Sequence, residues 1–373
     1  MLEDTLSRKL EKRKGENLLR QIITTSGLVD FVSNDYLGLA QSKELSSLIQ
    51  DRIHQSHHLN GATGSRLLSG NNEYTEEVER KLAQLFISEA ALIFNSGYTA
   101  NLAILSSLPQ RGDTILYDAL AHACLKDGAR LSLANRVSFR HNDLHDLEQK
   151  LKKASGQVFI AVESVYSMDG DQCALQELVS LAEHYKAHIV LDEAHSTGVH
   201  GSGGSGLACE LGLHNKIPVR LYTFGKAMGI HGACVAGSKK LIEYLINFAR
   251  PFIYTTALPP HSIVSIDCAF DYLKNNPELQ HVLQRKIKLY TTQNKSEDKR
   301  YNRQSPIQTA VFPGNENARQ AAASLQKHGF DVRAILSPTV LPGTERLRIC
   351  LHTFNHDEDI IRLSDVLQSS GVI

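Results

Sequence analysis

The sequence predicts an α/β fold: a mainly parallel, seven-stranded sheet flanked by helices, followed by a smaller C-terminal α+β unit. Three observations carry this. Between residues 90 and 237, short apolar runs alternate with segments of helical spacing, as in sheets whose strands are joined by crossover helices. The run Ala187-His188-Ile189-Val190-Leu191 is nearly continuous in apolar residues, which suits a strand buried on both faces, and it ends in Asp192. Beyond a polar stretch at 292–306, two further helical patterns are interleaved with short strands.

Taken in order, residues 2–20 read as an amphipathic helix, Val29–Val32 as a short strand and 42–58 as a helix. A glycine-rich loop, Asn60 to Arg66, follows, and Val78, Leu82 and Leu85 set a helix over Glu73–Phe86. The seven strand candidates are Ala90–Phe94, Thr114–Asp118, Val137–Phe139, Val158–Val162, His188–Leu191, Leu221–Phe224 and Ala233–Ala236. Helices at 97–108, 122–133, 143–153 and 175–186 lie between them. Helical spacing then runs over 238–249 and 259–290. The tail reads strand 307–312, helix 316–328, strands 330–336 and 346–351, and helix 356–370. This divides the chain into an N-terminal segment (1–45), a large unit (46–258) and a small one (259–373).

Composition narrows the function. With 40 basic and 40 acidic residues the formal charge is zero, which gives no support for a nucleic-acid or membrane partner. Six scattered cysteines without C-x-x-C spacing suit reduced thiols in the cytoplasm. No apolar run reaches the roughly 20 residues of a membrane span. His54, His57 and His58 cluster without a metal-binding frame, so no metal is expected. Gly201-Ser-Gly203-Gly-Ser-Gly206 fits G-x-G-x-x-G but lies too far past its strand for a dinucleotide site and reads as a flexible loop.

The chemistry gathers at strand ends, where open α/β sheets bind ligands. Asn95-Ser96-Gly97-Tyr98-Thr99 joins a strand to a helix and forms an anion cup suited to phosphate. Asp118 is followed by His122, and a third strand end carries Ser164 to Asp171, which also reads as an Asp-Gly turn. Asp192 and His195 end a fourth. Lys226, set among small residues after Thr223, can lose its proton on desolvation and form an imine with a carbonyl. Pyridoxal 5′-phosphate needs that lysine, and an acid such as Asp192 to keep its ring nitrogen protonated.

These residues sit in longer motifs: Ser33-Asn34-Asp35-Tyr36-Leu37-Gly38-Leu39, Ala121-His122-Ala123, Ser167-Met168-Asp169-Gly170-Asp171 and Asp192-Glu193-Ala194-His195. Thr223-Phe224-Gly225-Lys226, Tyr254-Thr255-Thr256, Pro338-Thr339-Val340 and Arg346-Leu347-Arg348 continue the series. Together they resemble, nearly end to end, the α-oxoamine synthase group of fold-type I pyridoxal-phosphate enzymes. Cys124 and Ser196 depart from it, standing where serine and glycine are common.

The resemblance implies residue roles. Lys226 would hold the cofactor as an imine, Asp192 would meet its ring nitrogen, His195 its phenolic oxygen, and His122 would stack on the ring with Ser167 at its polar edge. Gly97, Tyr98 and Thr223 would bind the phosphate, and Thr256 would reach it across a homodimer interface. Arg348 would grip an amino-acid carboxylate, with Asn34 beside the substrate and Arg20 and Thr339 on the acyl group. The implied reaction joins L-alanine to a pimeloyl thioester, carried on coenzyme A or acyl carrier protein, with loss of carbon dioxide, in biotin biosynthesis. Rival readings are a sister enzyme using glycine and acetyl-CoA, a transaminase, and a non-enzymatic cofactor-binding protein.

Overall fold

The computed structural model describes residues 1–24, 27–55, 60–294 and 304–369. His57, His58, most of the 292–306 loop and the last residues of the 42–58 and 356–370 helices lie outside them. The first half runs α1 (Leu2–Gly15), β1 (Val29–Asp30), α2 (Lys43–Gln55), α3 (Glu73–Leu85), β2 (Ala90–Phe94), α4 (Gly97–Ser107), β3 (Thr114–Asp118) and α5 (Ala123–Leu131). It continues with β4 (Asn135–Phe139), α6 (Leu144–Leu151), β5 (Val158–Glu163), α7 (Leu175–Tyr185) and β6 (His188–Asp192). Next come α8 (Leu207–Glu210), β7 (Val219–Thr223), β8 (Ala233–Gly237), α9 (Lys239–Phe248), α10 (Arg250–Ile253), α11 (Pro260–Asn275) and α12 (Glu278–Gln293). The tail holds β9 (Ile307–Val311), α13 (Asn315–Lys327), β10 (Phe330–Asp331), β11 (Arg333–Ile335), β12 (Arg346–Cys350) and α14 (Asp357–Ser369).

The large sheet has the order β2-β8-β7-β6-β5-β3-β4. Only β8 runs against its neighbours, β2 and β7. The other six therefore share one direction and end on one edge, and β8 begins there. Its central strands are buried on both faces, with Ile160, Ala161, Val190, Leu191 and Leu221 all within 1% of full burial. That is why they are β-branched and aliphatic rather than alternating. Side-chain caps start the helices that leave this edge or flank it: Ser96 Oγ accepts from Thr99 N–H at α4, and Asp143 Oδ1 from Asp146 N–H at α6.

A second, antiparallel sheet has the order β11-β12-β9. The N-terminal segment is stitched to this region. β1 pairs in parallel with β10, and the Phe31 carbonyl accepts from Cys350 N–H at 2.8 Å. The Tyr36 carbonyl accepts from Thr353 N–H at 3.0 Å. Residues from both ends of the chain thus share one support.

Several expectations need correction. α1 stops at Gly15 rather than 20, because glycine and Asn17, at φ 53°, leave helical geometry. The expected 259–290 helix is two helices, broken at Asn276-Pro277, where proline bars the residue before it from helical geometry. The 330–336 strand splits at Val332, since β10 pairs with β1 while β11 pairs with β12. The Gly201–Gly206 stretch is a loop, but a packed one: Gly204, Ser205 and Gly206 are buried. Gly170 makes the turn read from its sequence, at φ +71°. A Cβ there would stand 2.2 Å from the Ile307 carbonyl oxygen of β9.

Gly170→Ala should therefore lose more stability than Gly112→Ala, whose glycine also has positive φ but nothing within 4 Å. Both carry left-handed strain of about 1–2 kcal/mol; only the first adds a collision with backbone. Urea-unfolding midpoints compare them, and equal midpoints would remove the close approach as a constraint.

Candidate active site

Strand ends converge on a cavity of about 210 Å³ at the common edge of the large sheet. Ser96, Gly97 and Tyr98 come from the β2–α4 turn, His122 and Cys124 from α5 and its cap, and Glu163 from β5. Asp192 and Ala194 follow β6, and Thr223, Gly225 and Lys226 follow β7. At the start of α4 the backbone N–H groups of Gly97 and Tyr98 have no acceptor among the described residues, so the turn presents free donors and a helix dipole. Gly97 packs closely on Thr223: a Cβ would lie 2.3 Å from Thr223 Cγ2 and would force that side chain to move. An anion such as a phosphate fits this cup.

Lys226 lies partly buried in the cavity, and loss of water around its amine pulls its ammonium below the ordinary lysine range. Asp192 and Glu163 oppose the shift, and Arg348 adds to it. Asp192 is fixed from behind: Oδ2 accepts from Asn101 Nδ2 at 2.6 Å and Oδ1 from Ala194 N–H at 2.9 Å. Asn101 also reaches Cys124 Sγ at 3.1 Å, and Sγ lies 2.8 Å from His122 Nδ1. Burial, with Asp192 behind it, pushes the Cys124 thiol up to about 12, so it stays protonated and serves as a donor. His122 Nδ1 also accepts from Cys124 N–H as the cap of α5. With Nδ1 occupied as acceptor, His122 is neutral and carries its proton on Nε2; burial lowers its pKa in the same sense.

A hydrogen-bond chain links Lys226 to Arg348, and its polarity follows from the donors. The Arg348 guanidinium can only donate, so Nη2, at 2.9 Å, identifies the Asn34 atom facing it as the acceptor Oδ1. Tyr36 O–H then gives its proton to the same Oδ1 at 2.9 Å. Tyr36 oxygen, 2.8 Å from His195 Nδ1, must accept. His195 is neutral, its pKa held well below the ordinary value by burial, with Lys226 and Arg348 adding to it. Nε2 is therefore the acceptor that meets Lys226 Nζ at 2.8 Å. Arg348 is further held by Nε donating to the Ser167 carbonyl at 2.6 Å.

His122 also lines an adjoining cavity of about 550 Å³, with Lys126, His141, Ser167, Asp169, Thr339 and Arg346. Of the residues expected to act, Gly97, Tyr98, His122, Asp192, Thr223 and Lys226 share the first cavity, and Ser167 and Thr339 face the second. His195, Asn34 and Arg348 join through the hydrogen-bond chain. Two stand apart. Thr256 is exposed beside Asn95, whose Nδ2 donates to its carbonyl at 3.0 Å. Arg20 is exposed on the stretch after α1 and meets neither cavity among the described residues. Sequence reasoning passed over Tyr36, Asn101 and Glu163. Tyr36 had only its place in the Ser33–Leu39 motif and Asn101 no local signal; Glu163 was detectable as the polar residue closing an apolar strand.

The model of the aminotransferase class I and II family matches residues 26–362. A putative 8-amino-7-oxononanoate synthase of Bacillus licheniformis is 38% identical, over 99% of this chain and 98% of its own length. The 8-amino-7-oxononanoate synthase of Emericella nidulans is 38% identical, over 98% and 95%. The chain belongs to the 8-amino-7-oxononanoate synthase branch of that aminotransferase family. Among solved structures it is similar to a serine palmitoyltransferase from S. paucimobilis with bound PLP–myriocin aldimine (TM-score 0.87, 26% identity, 99% of this chain and 97% of that one). It is also similar to the 8-amino-7-oxononanoate synthase of Francisella tularensis (TM-score 0.78, 28% identity, 92% and 98%). For this branch the sequence distinguishes more than the backbone does, since both enzymes share the fold.

A charged cluster braces the second cavity. His141 Nδ1 donates to Asp118 Oδ1 at 2.9 Å and Nε2 to Asp171 Oδ2 at 2.8 Å. Burial opposes the charge on His141, but the two carboxylates outweigh it and raise its pKa from 6.5 to about 9. A folded-state pKa above the unfolded one stabilises fully below pH 6.5 and is lost as pH rises through 9. His141→Gln should remove that slope, so wild type and variant should converge in urea midpoint between pH 6.5 and 9. A constant gap across the range would contradict a charged imidazole.

Proposed function

We propose that this enzyme condenses L-alanine with a pimeloyl thioester, releasing carbon dioxide and the free thiol carrier and forming 8-amino-7-oxononanoate. The observation that carries the reading is the partly buried Lys226 amine, 2.8 Å from a neutral His195, in a cavity that also holds Asp192. The residues fit pyridoxal phosphate: free N–H donors at Gly97 and Tyr98 for a phosphate, a carboxylate at the strand end for a ring nitrogen, and an amine for the aldehyde. When bound, that cofactor withdraws electrons from an amino acid's Cα and acidifies its C–H bond.

The chain's own residues supply the rest. Lys226, kept below its usual basicity by burial, is available to take the Cα proton. Nearby, His195 Nε2 is an acceptor that orients the amine, and Tyr36 holds that tautomer. Arg348 offers a planar fork to the alanine carboxylate, in place of its contacts with Asn34 and the Ser167 carbonyl. The adjoining cavity, with Thr339 on its wall, gives the acyl chain room beside the first. Thr256 and Arg20, exposed in this chain, serve a neighbouring subunit's site or its acyl entrance in a homodimer. The relatives' names favour this acyl acceptor over glycine with acetyl-CoA.

Two results test the reading. Borohydride reduction of the cofactor-loaded protein should label Lys226 alone, and Lys226→Ala should lower turnover by on the order of 10²–10⁴; unchanged turnover would falsify the assignment. Arg348→Lys, which keeps the charge and loses the fork, should raise the KM for alanine about 10- to 100-fold while changing the thioester KM far less. Equal changes in both would place Arg348 elsewhere.

A further inference from the structure

We propose that Glu163 is a further positioning residue of the cofactor cavity, held as a neutral carboxylic acid that donates a hydrogen bond to an anionic oxygen of the bound cofactor or substrate. The inference rests on the reading that the cavity binds pyridoxal phosphate. Glu163 closes β5 directly across from Asp192 in the sheet register, so two carboxyl groups enter one cavity side by side. It is 2% exposed. Oε1 accepts the His122 backbone N–H at 2.6 Å, at the start of α5. The other oxygen has no hydrogen bond among the described residues and is not sealed from the cavity.

Both oxygens of Asp192 accept N–H bonds, which leaves Glu163 to carry the pair's proton. Burial, then the Asp192 charge, pushes Glu163 up to about 8. Lys226 and the His122 N–H act against the shift, while Asp118 at the end of β3 adds to it. A neutral carboxyl with one oxygen accepting from the backbone has its O–H free on the other, aimed at whatever fills the cavity. A carboxylic acid kept protonated by its site is an established kind of donor to an oxyanion. The donor acts through position: it also fixes His122, whose side chain meets both cavities.

The test measures equilibrium affinity of cofactor-free protein, by fluorescence, for pyridoxal phosphate and for 4′-deoxypyridoxine phosphate, which lacks the aldehyde. Glu163→Gln keeps both an acceptor and a neutral donor, so its affinity at pH 7 should stay within about threefold of wild type. Glu163→Ala should lose about tenfold or more. Between pH 7 and 9 wild-type affinity should fall about tenfold relative to the glutamine variant, because only the carboxyl ionises. Wild-type and E163Q profiles that run parallel for both the cofactor and alanine, or an E163Q as weak as E163A for both, would overturn the proposal. A difference seen in the alanine dissociation constant of the loaded enzyme, and not in cofactor affinity, assigns the oxygen to the substrate and supports the donor role. Failure of wild type to bind either compound at any pH would instead refute the cofactor reading itself.

Discussion

Burying an amine between two carboxyl groups is the constraint on which the rest of this structure turns. Removing Lys226 from water favours its neutral form, while Asp192 and Glu163 favour the charged one. The site works because neither side wins outright: a fully charged lysine is no nucleophile, and an uncharged pocket has nothing to keep a pyridine nitrogen protonated. That balance is possible only where strands from different parts of the chain end together. β2, β3, β5, β6 and β7 all finish on one edge, and these strand ends with the turns after them supply the cavity's polar groups.

The second constraint is register between the large sheet and the small one. Arg348 lies on β12, yet its partners, Asn34 and the Ser167 carbonyl, come from the N-terminal segment and from the turn after β5. The hydrogen bonds of Phe31 and Tyr36 to the strand β12 and the residues just beyond it hold the N-terminal piece in place. A shift of that piece would break Tyr36–His195 and release the tautomer that presents Nε2 to Lys226. The position of Arg348 and the orientation of the amine are thus linked through one buried tyrosine. A carboxylate that draws Arg348 away from Asn34 acts on the same chain from its far end.

What could be read from the sequence, and what could not, follows the range of the forces involved. Six of the seven strands were legible because they are largely buried and so read as short, mainly apolar runs; β4, exposed from Asn135 to Ser138 at the sheet edge, showed only its end from Val137. Asp192, Lys226, His122 and the Gly97 turn were legible because their chemistry is local to a strand end. The break at Pro277 was also written in the sequence, but apolar spacing continues across it and masked it. The split at Val332 had no local sign, since it depends on β1, some 300 residues earlier, choosing β10 as its partner. Tyr36 and His195 are 159 residues apart, and no periodicity joins them. Asn101 sits on a helix whose spacing reads as core, and only its contact with Asp192 shows why an amide is there.

The same geometry separates what the fold shares from what this chain adds. The first cavity holds the amine, the carboxylate and the N–H cup that fit pyridoxal phosphate, and a transaminase needs these too. A condensing enzyme must also place a second carbonyl beside the amino acid's Cα and keep it there. The adjoining cavity shares His122 with the first as a lining residue. It is walled by the Ser167–Asp171 turn on one side and by Thr339, Val340, Leu341 and Arg346 on the other. Three devices hold that wall: His141 clamped between Asp118 and Asp171, the Arg346–Asp169 ion pair, and the close seating of Gly170 on β9. None of them hydrogen-bonds or ion-pairs with Lys226, so this wall can differ in size and polarity without a direct effect on the amine. The wall of the adjoining cavity thus lies between the two sheets, whereas Lys226, Asp192 and Glu163 all come from the ends of strands in the large one.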